Sequence, residues 1–348
     1  MARSTYHKKQ DALNEIKLKE LLLQMPDYSR DFFRGINTTT TPRTRVGYAY
    51  DLISFFNFLL TNNPSLHTIQ DISLNVLESL KREDIEEYLE CTKYGTLEIS
   101  DDPTIINNER SIARKLSALK SFYSYFYDSE RIRYNPAAIV KLPKIRDKEI
   151  VILEPNEVAI LLDNVESGAN KTGRAAVYHE KIGTRDLALI TLLLGTGIRV
   201  SECVGLDIDD VDLENCALSL TRKGDKEATI YFSDEVRDAL VPYWEERRRM
   251  IPEKGHEKAF FLSLRLKRLS VRSVQVLVKD YAESAAPLKK ISPHKLRSTY
   301  GSSLYRETSD IYLTAEVLGH ENIQTTKKHY SKMSDDIKRA ARGKVSLR

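Results

Sequence analysis

The run Asp186-Leu-Ala-Leu-Ile-Thr-Leu-Leu-Leu194 is almost wholly apolar, and Gly195-Thr-Gly197 ends it abruptly before Ile198-Arg199-Val-Ser-Glu202. A segment so uniformly apolar has no solvent face and predicts a buried helix at the centre of a core. The glycine turn then delivers Arg199 from the end of that helix, held firmly and pointing inward. A desolvated arginine needs an anion. Glu202, on the next turn, reads either as the second half of a structural ion pair or as a group that orients Arg199 toward something else.

Helical spacing dominates most of the remaining chain. Residues 1–36 form a polar extension with a helical stripe at Ile16, Leu18, Leu21, Leu22 and Met25, closed by Pro26. Thr41-Pro42 is a helix start, threonine as N-cap and proline at the first helical position. Leu52, Phe55, Phe56 and Leu59 then recur on one face. Arg43 and Arg45 fall in the first turn, where the helix dipole disfavours cations. They read equally as plain surface arginines or as contacts to an external anion. Further short helices are expected over 74–92 and a loop over 93–108. Ile112, Leu116, Leu119, Tyr123 and Phe126 step by 4, 3, 4 and 3 along one face. At roughly 100° per residue, Arg110, Arg114, Ser117 and Ser121 lie on the opposite face. Arginines beside short hydroxyl residues let a helix approach a phosphate backbone, so this face is read as a DNA contact. Asn135-Pro136 stops the segment.

The charged stretch Lys141-Leu-Pro-Lys-Ile-Arg-Asp-Lys148 has no period and divides the chain. The expected order is an N-terminal extension over 1–36, a helical unit over 37–140, a linker over 141–149, a second domain over 150–333 and a tail over 334–348. In the second domain, Glu154-Pro155-Asn156-Glu157 opens a helix and 167–184 is expected to be a polar loop. Ala217–Thr221 and Ala228–Phe232 alternate around Arg222-Lys223-Gly224-Asp225-Lys226, which predicts a β-hairpin with lysines at its tip. A short strand at Ala259–Leu262 is expected to extend the sheet. Helices are expected around Glu235–Arg249, Val271–Ser284, Pro293–Tyr305 and Ile311–Leu318.

Composition restricts the partners more than the fold. The net charge is +4, mildly basic, which permits a nucleic-acid partner without requiring one. Cys91, Cys203 and Cys216 fit no zinc or redox spacing, and such a sparse, odd set points to buried thiols in a reducing cytoplasm. The start of the chain has no apolar signal core, no run reaches the ~18 apolar residues of a membrane span, and no repeat is visible.

Two more stretches carry chemistry. In Ser292-Pro293-His294-Lys295-Leu296-Arg297, proline suits the first helical position and His294 and Arg297 share a face one turn apart. Two cations so placed repel unless an anion lies between them, and a helix N-terminus favours a phosphate. Leu318-Gly-His320-Glu-Asn-Ile-Gln-Thr-Thr-Lys-Lys-His329-Tyr330 sets His320 and Tyr330 ten residues apart across a polar link. Alone, it reads as a solvated helix with a half-buried tyrosine.

The ordered set Arg199, Lys223, His294, Arg297, His320 and Tyr330 resembles the tyrosine recombinase (phage-integrase-like) family. The resemblance rests on Gly195–Glu202, Thr221–Lys226, Pro293–Arg297 and Leu318–Tyr330, each weak singly and specific in combination, and covers roughly residues 37–340. Ser111–Tyr127 is similar to the family's helical core-binding domain. Within the family the chain looks most like the single-chain Xer recombinases of Gram-positive bacteria, from its length, the stretch Ile72-Ser-Leu-Asn-Val-Leu-Glu-Ser-Leu80 and the polar segment before Arg185. The fold so implied is mainly α with a small β-sheet, a core-binding domain and an α+β catalytic domain that form a C-shaped clamp on DNA.

The resemblance also implies a mechanism. Tyr330 attacks the scissile phosphodiester and forms a 3′-phosphotyrosyl link. Arg199 and Arg297 hold the non-bridging oxygens, Lys223 protonates the leaving 5′-oxygen, His294 accepts the tyrosine proton, and His320 donates a hydrogen bond to the phosphate. Bond energy is kept in the phosphotyrosine, so no cofactor, ATP or metal is implied. Many members space histidine and tyrosine nine residues apart, which here would select His329; Tyr330 is kept because histidine is the poorer nucleophile for this step. Lys226 is the fallback for Lys223. Ser298 stands where many members carry histidine. Ser334–Ala341, with Ile337, Ala340 and Ala341 on one face, is expected to dock on a neighbouring protomer. The partners implied are double-stranded DNA and a homotetramer on two duplexes, with room for a cell-division or accessory protein. The expected role is chromosome-dimer resolution. The alternatives are mobile-element integration, a type IB topoisomerase-like relaxing activity, and a DNA-binding regulator with a degenerate site, disfavoured because every catalytic position is filled.

Overall fold

The computed structural model describes residues 5–94, 108–145, 150–168, 172–222, 226–320 and 322–323. The chain divides into two compact units, the first Thr5–Lys148 and the second beginning at Glu149.

The first unit is helical among its described residues: α1 (Thr5–Leu22), α2 (Ser29–Gly35), α3 (Pro42–Asn62), α4 (Leu74–Ser79), α5 (Arg82–Lys93) and α6 (Glu109–Asp128). The Thr41 hydroxyl caps α3 by accepting from the Thr44 N–H at 3.2 Å, ahead of Pro42. Asn108 caps α6 in the same way, through the Ser111 N–H at 3.0 Å. The α6 residues spaced by 4, 3, 4 and 3 are all buried. Phe122 joins them, its ring 5.0 Å from Phe126 and 5.8 Å from Phe56 of α3. Arg110, Arg114 and Ser117 stay on the exposed side.

The N-terminal segment is not an extension standing ahead of this unit. Leu18, Leu21 and Met25 bury themselves with Phe32 and Phe33 in the same core as α3 and α6, because a single helix cannot cover its own apolar face. Ile16 falls off the stripe and is exposed.

The second unit contains α7 (Pro155–Ser167), α8 (Arg174–Thr196), α9 (Val200–Gly205), strands β1 (Val211–Asp212), β2 (Ala217–Thr221) and β3 (Glu227–Tyr231), then α10 (Asp234–Arg247), α11 (Val271–Ala285), α12 (Pro293–Thr308) and α13 (Ile311–Leu318). The apolar run forms the C-terminal half of α8, buried against α7, α10 and α12. Much of the expected polar loop is helix, since α8 already starts at Arg174. Ala175, Ala176, Glu180 and Lys181 are good helix formers. Polarity there reflects exposure rather than irregular backbone. His179 is the exception, its Nδ1 lying 3.1 Å from the Tyr281 hydroxyl of α11.

The sheet is antiparallel in the order β1-β2-β3. Leu218 faces Ile230 in register and both are buried. Ala259–Leu262 does not extend it; its pairing is limited to isolated bridges, Asp207 with Ala259 and Leu262 with Arg268. Side chains share in satisfying its backbone: the Phe260 N–H donates to the Leu206 carbonyl at 2.9 Å, while Arg247 Nε donates to the Ala259 carbonyl at 2.9 Å and the Tyr243 hydroxyl to the Phe260 carbonyl at 3.1 Å. Phe260 and Phe261 are core plugs beside Tyr243.

Candidate active site

At the end of α8 the Thr196 hydroxyl donates back to the Leu192 carbonyl, and the Gly197 N–H to Leu193 at 3.1 Å. Gly197 takes φ +61°, in the left-handed region, and an added Cβ would lie 2.4 Å from Tyr300 Cδ1. Only glycine fits this turn against α12. The chain leaves it at Arg199, which starts α9. Glu202, almost fully buried, binds Arg199 twice, accepting from its backbone N–H at 2.7 Å and from Nη1 at 2.8 Å. The other end of the Arg199 guanidinium donates from Nη2 to the Gly319 carbonyl at 3.1 Å. The side chain remains 39% exposed, so the Glu202 pair orients Arg199 without burying it.

Pro293 takes the first position of α12, and His294 beside it is exposed. One turn later Arg297 is buried, donating from Nη1 to the Gly197 carbonyl and from Nη2 to the Leu318 carbonyl. Arg199 and Arg297 are thus fixed to neighbouring peptide groups, the carbonyls of Gly319 and Leu318. Two guanidiniums so close repel each other, and the partial negative charge at a helix C-terminus offsets only part of that. An anion between them would complete the balance.

Gly319 ends α13 at φ +61°, and the His320 N–H then donates to the Ala315 carbonyl at 2.9 Å. This closure sets half-buried His320 beside the carbonyls that hold the two arginines. The structure therefore brings Arg199, Arg297 and His320 to one turn, with His294 on the helix that carries Arg297. Lys223, Tyr330 and His329 lie outside the described residues, as do Ser334–Ala341. Lys226 is exposed, and its carbonyl accepts from the Arg222 N–H at 2.8 Å.

Sequence reasoning missed Arg222. Its Nη2 donates to the Val317 carbonyl at 2.7 Å and its Nη1 to Glu316 at 3.2 Å. Burial holds its guanidinium below the ordinary arginine value; Glu202 opposes the effect and Arg199 adds to it. The one available signal was an arginine directly after a strand. Its partners lie 94 and 95 residues away in sequence.

In the first unit, Arg43 and Arg110 are exposed. Arg114 is exposed too, and anchored to buried Asp51 Oδ2 at 2.5 Å and to the Gly47 carbonyl at 3.3 Å. Arg45 departs from the anion-contact reading. It is buried and held by Glu15 of α1 and by Asn37. Its conflict with the helix dipole is resolved inside the unit.

Among the described residues no group of three or more His, Cys, Asp or Glu is placed to hold a metal ion. No described helix is long and apolar enough to cross a membrane.

The phage integrase family profile matches residues 152–336. A tyrosine recombinase XerC of Caldanaerobacter subterraneus subsp. tengcongensis is 34% identical, over 95% of this chain and 91% of that protein. The chain belongs to the phage integrase family. It is a site-specific tyrosine recombinase, an enzyme that breaks and rejoins DNA. A tyrosine recombinase XerS of Lactococcus lactis subsp. cremoris is 28% identical over 93% of the recombinase and 96% of that relative. The fold is also that of XerH site-specific recombinase in a post-cleavage complex with a palindromic difH substrate, at a TM-score of 0.65 and 19% identity, covering 87% of this chain and 80% of that one. The Tn1549 transposon integrase (residues 82–397), in complex with circular intermediate DNA, matches at a TM-score of 0.62 and 21% identity over 86% and 93% of the two chains. The recombinase thus has the mainly helical fold with a small sheet that its sequence implies.

Proposed function

We propose that this recombinase cleaves duplex DNA with Tyr330 as nucleophile and Arg199, Lys223, His294, Arg297 and His320 as the residues that serve the phosphate. Arg199 and Arg297 bind the non-bridging oxygens and neutralise the charge that builds on them. His320 donates a hydrogen bond to the same phosphate. His294, exposed at the start of α12, takes the proton from Tyr330. Lys223 protonates the 5′-oxygen as it leaves, and a 3′-phosphotyrosyl link remains. The 5′-hydroxyl of the partner duplex reverses the step. The observation that carries this reading is the convergence of Arg199, Arg297 and His320 on the carbonyls of Leu318 and Gly319 and the turn that follows them.

The working assembly is a homotetramer on two duplexes, with Ser334–Ala341 docking on a neighbour. The first unit, which includes the N-terminal helix, grips DNA through the α6 face of Arg110 and Arg114 and through Arg43, and is joined by the segment around 141–149 to the catalytic unit. The role is chromosome-dimer resolution in the cytoplasm, in keeping with XerC and XerS relatives that match nearly the whole chain.

The test is incubation with a nicked duplex whose sequence the protein has selected from a random pool. A covalent protein–DNA adduct should form with the parent chain and disappear in Tyr330→Phe. An adduct that survives in Tyr330→Phe and vanishes in His329→Ala would transfer the nucleophile to His329.

A further inference from the structure

Four consecutive carbonyls end α13, and each accepts from an arginine. Arg222 takes Glu316 and Val317, Arg297 takes Leu318, and Arg199 takes Gly319. The last carbonyls of a helix have no partner within it. Here the Glu316 carbonyl accepts the Gly319 N–H at 2.8 Å as well as Arg222, while Val317, Leu318 and Gly319 accept from the cations, which the helix C-terminus favours. Arg199 and Arg297 already have a role at the phosphate. Arg222 has none, yet of the three it alone binds two carbonyls of this helix end. Its guanidinium lies flat on Gly319, where an added Cβ would meet Nη1 at 2.3 Å, Cζ at 2.6 Å and Nε at 2.9 Å. Its Nε is buried and has no hydrogen-bond partner among the described residues. A desolvated, incompletely satisfied guanidinium is unfavourable on its own account. It is tolerated here because the two terminal nitrogens hold the turn.

We propose that Arg222 is a positioning residue for DNA cleavage: by clamping the last turn of α13 it fixes Gly319 and therefore His320, the next residue. It touches neither DNA nor the reacting atoms. Its effect passes through the closure in which the His320 N–H binds the Ala315 carbonyl. Without Arg222, the Val317 carbonyl loses its donor and Glu316 is left with the Gly319 N–H alone. The α13 terminus can then unwind, and His320 loses its fixed direction. Lysine cannot replace it, because a single ammonium does not span two successive carbonyls as the planar fork does.

The proposal rests on the reading of His320 as a phosphate ligand, and a double-mutant cycle separates the two. Single-turnover adduct formation is measured on the selected nicked duplex for the parent, Arg222→Ala, Arg222→Lys, His320→Ala and Arg222→Ala/His320→Ala. DNA affinity is measured in parallel on the unnicked duplex. Arg222→Ala and Arg222→Lys should each slow cleavage by roughly tenfold or more while DNA affinity changes much less, since an interaction made only in the transition state is lost. In the His320→Ala background, Arg222→Ala should slow cleavage by less than about twofold, because residues acting through one another are not additive. The thermal unfolding of Arg222→Lys shows whether a soluble, folded variant carries the defect even where the alanine variant folds poorly. Full multiplication of the two single effects overturns the proposal, as does an Arg222→Lys protein that cleaves at the parental rate. If His320→Ala cleaves like the parent while Arg222→Ala does not, the phosphate-ligand reading of His320 fails and the proposal falls with it. If His320→Ala is slow and Arg222→Ala is not, the proposal alone fails.

Discussion

Replacing Gly197 with alanine puts a methyl group 2.4 Å from Tyr300 Cδ1 and 3.1 Å from Leu318 Cδ2, at φ +61°. An L-residue in the left-handed region costs about 1–2 kcal/mol of backbone strain. The collision adds about 1–3 kcal/mol, the usual cost of forcing extra volume into packed side chains. The turn has little freedom to relax, since the Gly197 N–H is tied to the Leu193 carbonyl and its own carbonyl to Arg297. The expected loss is therefore about 2–5 kcal/mol. Gly255→Ala is the open-space control: φ is also positive, at +85°, and nothing lies within 4 Å of the added Cβ, so backbone strain of about 1–2 kcal/mol applies without a collision. Urea unfolding of both variants, compared at equal m-value, isolates the packing contribution. Because the displaced carbonyl holds Arg297, Gly197→Ala should also slow adduct formation on the selected nicked duplex, which Gly255→Ala should not. Equal unfolding free energies for the two variants would refute the close packing of this turn against α12.

The remaining predictions concern the two units separately. Arg110→Ala should lower the log–log salt slope of DNA binding by about 1, the signature of one lost phosphate contact. Arg45→Ala should leave that slope unchanged and reduce the unfolding free energy by about 1–3 kcal/mol, because Arg45 is bound to Glu15 and Asn37; a slope change would return Arg45 to the DNA surface. Tyr281→Phe removes the hydroxyl that donates to buried Asp186 Oδ2 at 3.2 Å. It should destabilise the second unit by about 1–3 kcal/mol in thermal or urea unfolding. Backbone N–H donation from Thr68, then from His67, holds the Asp71 carboxyl below its ordinary 3.8. A depressed carboxylate adds stability above its unfolded value and loses it as pH falls through the folded value. The gap in urea midpoint between the parent and Asp71→Asn should thus narrow below pH ~3.8, and a constant gap would exclude that linkage.

Helices with a strong apolar period were legible in the sequence because their burial repeats at the helical spacing. The α6 face and the α8 run are of this kind, and the Thr41-Pro42 and Pro293 starts are set by local capping chemistry. Amphipathic period does not report a helix that is solvated on most sides. Residues 174–184 therefore read as loop although they begin α8. Ala259–Leu262 has strand-like residues, yet their backbone groups are shared among scattered backbone partners and the Arg247 and Tyr243 side chains rather than a ladder. The separate standing of residues 5–36 also failed, because an apolar stripe states that a helix is buried and not against which helices.

Residue chemistry and order alone determined that Arg199, His294, Arg297 and His320 are candidates, since glycine turns and helix starts fix local geometry from a few neighbouring residues. Only the tertiary structure decided what each cation faces. Arg45 turned to Glu15, Arg114 to Asp51, and Arg199, Arg222 and Arg297 to the carbonyls that end α13. A guanidinium binds whatever acceptor the fold brings within reach, and those acceptors lie up to 120 residues away. Local sequence carries no record of so distant a partner, so Arg222 passed as a hairpin residue until the end of α13 was in place.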